Sequence, residues 1–586
     1  MANTRLKALR DNMVKQGIDL YYFNTSDYHM CEYVAEYFKT IRYFSGFTGS
    51  LATLLVSRKD AYIFVDGRYH IQADNQCKGN GVKVVKLGTK NGIEPIDFIK
   101  KYFSDKVIGL DGKRTSISFG KHLAEAGIKV KSVDIYSDII ENRAKLSNSQ
   151  IYALADKYTG KSRKDKLTDV KYCLQGKCHI VNNLESIAYI LNLRGDDIKN
   201  TPVFMSYLIF LNNDVYFFVD IKRLSNKILD ELYADGVIVK PYNEYYKFIT
   251  TIKKQTILLD PNKVNYETFM KIYKKNDLYY MRSIIEDMKA CKNKVESKNT
   301  RLAHIYDGVA MVRFLKWLKS QKLNKLTEYD VVEKLNSFRL DYKAFDLSFD
   351  SIVAYNANAA LMHYSPTKDN SAKLSNSGIL LIDSGGQYLQ GTTDITRTIS
   401  LGKVSNEVKK YFTIVLKSMF NLSETVFMKG LSGNQVDIMA RQELWKQGID
   451  YRCGTGHGVG HVLAVHEMPP NVRYMNTEAG GEKVPFKPGM VFSDEPGVYF
   501  EGKYGIRCEN LLQCVPAFET EYGEFYKFDT ITMCPFDLNL IDKKYLDQKT
   551  IDVLNKYHET VYKTLSKYLD KDEQAFLKQL TKKIWK

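Results

Sequence analysis

The sequence predicts a multidomain protein of mixed class, with two α/β domains followed by a larger α+β domain. Three observations lead there. Strand-like apolar runs alternate with helical segments, the alternation restarts after a polar stretch, and in the C-terminal half acidic residues occupy strand positions that ordinarily hold apolar side chains. At 586 residues the chain is too long for one core, since domains run to roughly 100–200 residues each.

The first domain is expected over residues 1–150. It opens with an amphipathic helix, continues through the strand-like "DLYYFNT", "SLATLLVS", "DAYIFVD" and "KVVKLG", and carries a helix-forming "EPIDFIKKYF". The polar stretch "ENRAKLSNSQIYALADKYTGKSRKDK", residues 141–166, reads as a linker. The pattern then restarts with the helix "KLTDVKYCL" and the strands "CHIVNN", "VFMSYLIFL", "DVYFFVD" and "TILLD", giving a second α/β domain over 151–290 and suggesting a structural repeat without evident residue-level similarity. The third domain, 291–586, begins with a helix whose stripe is Leu302, Ile305, Val309, Val312 and Leu315, and ends with a basic surface helix, "QAFLKQLTKKIWK".

Composition excludes several classes. No run approaches the roughly 20 apolar residues that span a bilayer, and the N-terminal segment carries charges where a secretory signal needs an apolar stretch, so a cytoplasmic protein without membrane association is expected. Nine scattered cysteines form neither a disulfide framework nor a paired CxxC zinc pattern and read as reduced thiols. The net charge is +17, but lysines are dispersed among acids instead of forming one stripe, so no nucleic-acid partner is expected.

The chemistry lies in the third domain. In "LLIDSGGQYLQGTTDITRT", two strands joined by a glycine turn carry Asp383 and Asp394, facing each other across the pair. In "SDEPGVYFEGKYGIRCEN", Glu495 ends one strand and Glu509 lies on the next, with Arg507 on the same face as Glu509. Four buried carboxylates in one interior are untenable without compensating cations. Two divalent metals would balance them, and the glycine-rich "GTGHGVGHVLAVHEMPP", whose glycines fix His457 in a tight segment, can supply the missing nitrogen donor.

Taken in order, "IDSGGQYLQGTTDITRT", "GTGHGVG", "VHEMP", "SDEPGVY" and "GIRCEN" resemble the pita-bread metallopeptidases, within them the long, three-domain Xaa-Pro aminopeptidases. The likeness extends to "SGFTGSLATLLV" and "FVDGRYHIQA" in the first domain and "YILNLRGDDIKNTPVFMSYLIF" in the second. It implies two creatinase-type N-terminal domains, a C-terminal pita-bread catalytic domain and a homodimer. It also implies release of the N-terminal residue from peptides with proline second, by a hydroxide shared between two metal ions, with manganese the family's habit. Asp394 and Glu509 would bridge the ions, Asp383 would hold one, and His457 with Glu495 the other. Glu495 would shuttle the proton, His363 in "LMHYSP" and His466 in "VHEMP" would orient proline and stabilise the oxyanion, and Arg507 would orient Glu509.

Cys453 departs from the family pattern, standing where many relatives carry histidine, and His461 reads as structural because the ligand set is complete without it. Competing readings are a prolidase restricted to Xaa-Pro dipeptides, a methionine aminopeptidase, disfavoured by the two N-terminal domains, and a metal-free peptide- or histone-binding module, disfavoured by five intact ligands.

Overall fold

The computed structural model describes residues 2–477 and 480–585. Two compact units are present. One comprises residues up to Asp156 together with Lys161–Glu286, the other Lys157–Gly160 together with the chain from Asp287 onward.

The first unit holds two six-stranded sheets of identical plan. In the first, the order is Lys83–Lys86, Ala61–Val65, Thr53–Ser57, Leu20–Asn24, Val107–Leu110, Lys129–Ser132. In the second it is Val237–Pro241, Asp214–Val219, Ser206–Leu211, Cys178–Val181, Thr256–Leu259, Asp277–Tyr280. The antiparallel and parallel pairings also match position for position. The two halves meet reciprocally where Ser116 bridges Asn265. Ile117 N donates to Val264 O while Tyr266 N donates to Thr115 O, and Ser118 N donates to Pro261 O while Glu267 N donates to Gly112 O. Ser116 and Asn265 each cap the helix that follows.

Four of these strands, Val107–Leu110, Lys129–Ser132, Val237–Pro241 and Asp277–Tyr280, are missed by the sequence reading; the last three are sheet-edge strands, mostly unburied, and carry little apolar signal. The polar linker is also shorter than expected. Ser162 accepts a hydrogen bond from Asp165 N and starts the helix Arg163–Leu174 inside it.

In the second unit, the helix Lys294–Ser320 begins at an Asn293–Glu296 capping box. Its Val309, Val312 and Leu315 are buried as the stripe predicts, whereas Leu302 and Ile305 are only partly so. Phe314 and Leu315 pack against Leu380, Ile382 and Ile399, each such burial contributing roughly 1.5–3 kcal/mol. A three-stranded sheet orders Ile352–Tyr355, Ile379–Ser384 and Ile395–Ser400. A six-stranded sheet orders Val426–Met428, Gly523–Thr530, Asn510–Thr520, Val491–Asp494, Gly456–Gly458 and Glu467–Val472. Helices Asn406–Ser423 and Gln548–Leu565 share one core with Ile506 and Cys508.

Two expectations are corrected here. The glycines after Asp383 are not the turn: Gly386–Tyr388 and Gly391–Thr392 form a separate small sheet with Asp346–Leu347, and the chain turns at residues 389–390. A Cβ on Gly385 would lie 2.0 Å from Thr393 O, so that glycine lets the two segments approach. The last helix is Lys571–Leu580; the chain beyond leaves helical form, with Ile584 N bonded to Asn555 Oδ1, and Lys586 lies outside the described residues. No helix among the described residues is long and apolar enough to cross a membrane.

Candidate metal centre

Strand alternation explains how the acids enter an apolar interior. Leu380 and Ile382 face the helices, leaving Asp383 on the opposite face of its strand. Asp383 pairs in register with Thr396, so Asp394, two residues earlier, is its diagonal neighbour on the same face. The second acid pair occupies a break between two ladders. Asp494 pairs with Asn510 and Gly497 with Arg507, leaving Glu495 and Glu509 in the interruption. There Glu495 N donates to Thr455 O at 2.8 Å and Glu509 N to Thr396 O at 3.2 Å.

His457 lies in the strand Gly456–Gly458. A Cβ on Gly456 would stand 1.7 Å from Ser493 O and one on Gly458 2.2 Å from Glu467 O, so only glycine allows this approach. His457 Nδ1 donates to Gly458 O at 2.9 Å, which directs Nε2 toward the acids. Nε2 is 3.3 Å from Glu495 Oε1 and 3.6 Å from Asp394 Oδ2. Asp383, Asp394 and Glu509 each bring an oxygen within 4.8 Å of the others, and all three are buried.

The electrostatics are those of a site built for cations. Burial, then the neighbouring acids, pushes Asp394 and Glu509 well above the usual carboxylate range. Burial also raises Asp383, although Arg507 opposes it. Burial raises Glu495 too, but the hydrogen bond and charge of His457, with Arg507, outweigh it and hold it at about 2. Burial disfavours the His457 cation, yet Glu495 and Asp394 bring it up to about 9. Asp383 Oδ1 and Glu509 Oε1 are buried with no hydrogen-bond partner among the described residues. Orphaned acceptors, crowded carboxylates and an imidazole nitrogen aimed among them fit divalent ions with oxygen and nitrogen ligands.

Arg507 is placed differently from the expectation that it orients Glu509. Its Nη2 donates to Asp383 Oδ2, its Nη1 to Tyr499 Oη at 2.8 Å and its Nε to Thr396 Oγ1 at 3.0 Å. Thr396 in turn donates to Glu509 Oε2 at 2.8 Å. The strand ends at Arg507 and the next begins at Asn510, so the alternation assumed for one continuous strand does not hold. Arg397 donates to the Glu509 carbonyl, Asn510 Oδ1 and Cys534 O and stacks on Phe536, anchoring backbone and not the acid side chains.

The His466 ring lies 4.1 Å from that of His457, and its charge helps lower Glu495. His363 is partly buried and follows the turn Asn356–Ala360, whose Ala359 O would lie 1.8 Å from a Cβ on Gly505. That turn is thereby seated on the strand carrying Arg507. His461 has both ring nitrogens engaged, with Thr300 Oγ1 at 3.1 Å and Tyr158 O at 3.0 Å, in keeping with a structural role. Thr396, Tyr499 and Ser493 escaped the sequence reading. Ser493 donates to Glu495 Oε1 at 3.0 Å and, like Thr396, lies two residues from an acid on the same strand face, a signal that was available.

Residues 298–515 match metallopeptidase family M24 and 524–584 its C-terminal region, while 5–144 and 142–296 each match the creatinase/prolidase N-terminal domain. A probable Xaa-Pro aminopeptidase P of Sordaria macrospora is 35% identical, covering 97% of each chain. Another, of Talaromyces marneffei, is 36% identical over 99% of this chain and 92% of its own. The crystal structure of the X-prolyl aminopeptidase of Caenorhabditis elegans, described as a cytosolic enzyme with a di-nuclear active site, has 30% identity, a TM-score of 0.94 and full coverage of both chains.

Proposed function

The chain belongs to metallopeptidase family M24, with creatinase-type N-terminal domains ahead of a pita-bread domain, and on that premise we propose that it releases the N-terminal residue from peptides with proline in second position. The observation that carries this reading is the cluster of Asp383, Asp394 and Glu509 oxygens closed by His457 and Glu495, within a chain similar over its full length to Xaa-Pro aminopeptidases.

Asp394 and Glu509 would be shared by two divalent ions, with Asp383 on one and His457 and Glu495 on the other. The donors favour Mn²⁺, being four carboxylates and one imidazole without a thiolate. Such ions supply an acidified water near neutral pH and polarisation of the scissile carbonyl. Glu495, held ionised beside His457 and Ser493, is placed to take a proton and return it to the leaving nitrogen. His466 and His363 would orient the proline residue and stabilise the developing oxyanion. Arg507 pairs directly with Asp383 and favours its ionised form against the burial that raises it. Proline is accepted because its tertiary amide asks for no N–H partner and its ring fixes φ.

Three domains, 1–150, 151–290 and 291–586, are assigned, in line with matched spans that meet near 142–144 and 296–298. A cytosolic homodimer acting on peptides accords with the cytosolic nematode relative and with the family resemblance.

The deciding experiment supplies Mn²⁺ and compares peptides. Xaa-Pro-Xaa tripeptides and longer peptides should lose their first residue, peptides without proline second should stay intact, and Xaa-Pro dipeptides should turn over slowly. Faster cleavage of dipeptides would make the protein a prolidase. Metal binding without any turnover would make it a binding module.

A further inference from the structure

Asp437 and Arg441 lie one turn apart on the helix Gly433–Trp445, and neither is exposed at all. A buried ion pair costs several kcal/mol of desolvation and is weak evidence for stability as such, so its hydrogen bonds to neighbouring chain indicate what it holds. Arg441 Nε donates to Asp437 Oδ2 at 2.7 Å and Nη2 to Asp437 Oδ1 at 3.1 Å. The remaining donors go to one loop: Nη1 to Asp450 Oδ1 at 2.6 Å and Tyr451 O at 2.8 Å, Nη2 to Cys453 O at 3.0 Å. The guanidinium also stacks over Tyr451, 3.9 Å from the ring centre.

That loop leads into the metal centre. The Thr455 hydroxyl donates to Asp437 Oδ1, and the Thr455 carbonyl accepts Glu495 N at 2.8 Å. Two residues on, His457 N donates to Ser493 Oγ at 3.0 Å, and Ser493 Oγ donates to Glu495 Oε1 at 3.0 Å. One guanidinium–carboxylate pair therefore fixes the segment from which His457 projects and to which Glu495 is tied. Arg507 serves Asp383 directly and Glu509 through Thr396, and approaches Glu495 only at 3.9 Å, Nε to Oε2.

We propose that Arg441 and Asp437 are positioning residues for the half of the metal centre formed by His457 and Glu495, setting the affinity of that half far more than that of the half held by Asp383. The inference rests on the two-metal reading above. It predicts unequal damage: loss of Arg441 weakens one ion and spares the other, whereas general loosening of the unit weakens both alike.

The test compares Mn²⁺ binding by titration calorimetry and elemental analysis in the wild-type chain, Arg441→Gln, Thr455→Val and Leu565→Ala. Leu565 is fully buried in the core of the same unit and serves as the control for lost stability. Arg441→Gln should keep one ion and bind the second about 10–100-fold more weakly, the range found for outer partners of metal ligands. Its Mn²⁺ resonance spectrum should change from that of a coupled pair to the six lines of an isolated ion. Thr455→Val, which removes the hydroxyl shared with Asp437, Tyr451 and Arg441 but keeps the ion pair, should move in the same direction and serves alone should Arg441→Gln fail to fold. Leu565→Ala should melt lower yet hold both ions. Wild-type affinity at both sites in Arg441→Gln, or in Thr455→Val where that is the variant read, would overturn this inference alone, as would equal loss in Leu565→Ala. Failure of the wild-type chain to bind Mn²⁺ would overturn the metal reading and this inference with it.

Discussion

Arg507 and Asp383 form a buried ion pair, and the same guanidinium reaches Glu509 only through the hydroxyl of Thr396. One cation thus holds one acid of the cluster directly and a second through a hydroxyl, leaving Asp383 Oδ1 and Glu509 Oε1 without hydrogen-bond partners among the described residues. A carboxylate held by one oxygen and open at the other is pre-set for a metal.

Thr396→Val should therefore fold normally and lower kcat/KM by about 10–100-fold, the worth of a hydrogen bond to a charged group of roughly 1.5–3 kcal/mol. Steady-state kinetics with an Xaa-Pro tripeptide read the effect. An unchanged kcat/KM would show that Arg507 and Glu509 are not coupled.

Asp394→Ala should abolish activity and reduce metal content, because this acid lies against both Asp383 and His457. In metal-free protein the same change should raise stability, since it removes a buried acid crowded by like charges. Urea unfolding with a chelator present checks the gain, and elemental analysis checks the loss.

Metal binding should release protons and strengthen as pH rises. Asp394 and Glu509 have raised folded values and His457 is brought up to about 9, so each must surrender a proton to become a ligand. Calorimetry in two buffers of different ionisation enthalpy should show net release, with affinity climbing until pH passes about 9. In metal-free protein, the stabilisation from His457 is complete below its unfolded value of about 6.5 and disappears as pH rises through about 9. That from Glu495 is complete above about 4.5 and disappears as pH falls toward about 2. Asp394 and Glu509 have the opposite sign from Glu495, favouring the fold at low pH and weakening it once unfolded carboxyls ionise near pH 4.

Glu467 adjoins His466 and accepts from two buried lysines, Lys289 at 3.2 Å and Lys292. Glu467→Gln should cost about 3–5 kcal/mol in urea unfolding, because it removes the shared negative partner of buried cations. A loss below about 1 kcal/mol, the worth of a solvent-exposed pair, would show that the lysines are compensated elsewhere.

Cys453→Ala should keep most activity, since Arg441 holds the residue by its carbonyl and a thiol is a weak donor. His466→Ala should lower kcat by about a hundredfold or more, as loss of a transition-state donor does. Equal losses in the two variants would give the thiol a part in the reaction.

What the sequence determined by itself was the chemistry. Asp383, Asp394, His457, Glu495 and Glu509 are out of place in strands and glycine loops, and the charge they concentrate demands cations wherever the chain places them. It also showed the alternation of the N-terminal half, because periodicity is local and survives in one dimension. Only the tertiary structure decided which groups meet. Arg507 and Glu509 are two residues apart, yet the break in the ladder sends the arginine to Asp383, more than a hundred residues away. The twin sheets of the first unit share strand order and reciprocal backbone bonds that side-chain identity does not encode, since backbone N–H and C=O groups are the same in every residue but proline. Nothing in the sequence singles out Arg441; the fold brings residues 450–455 around it. Long-range pairing depends on which surfaces close together, and no spacing along the chain records it.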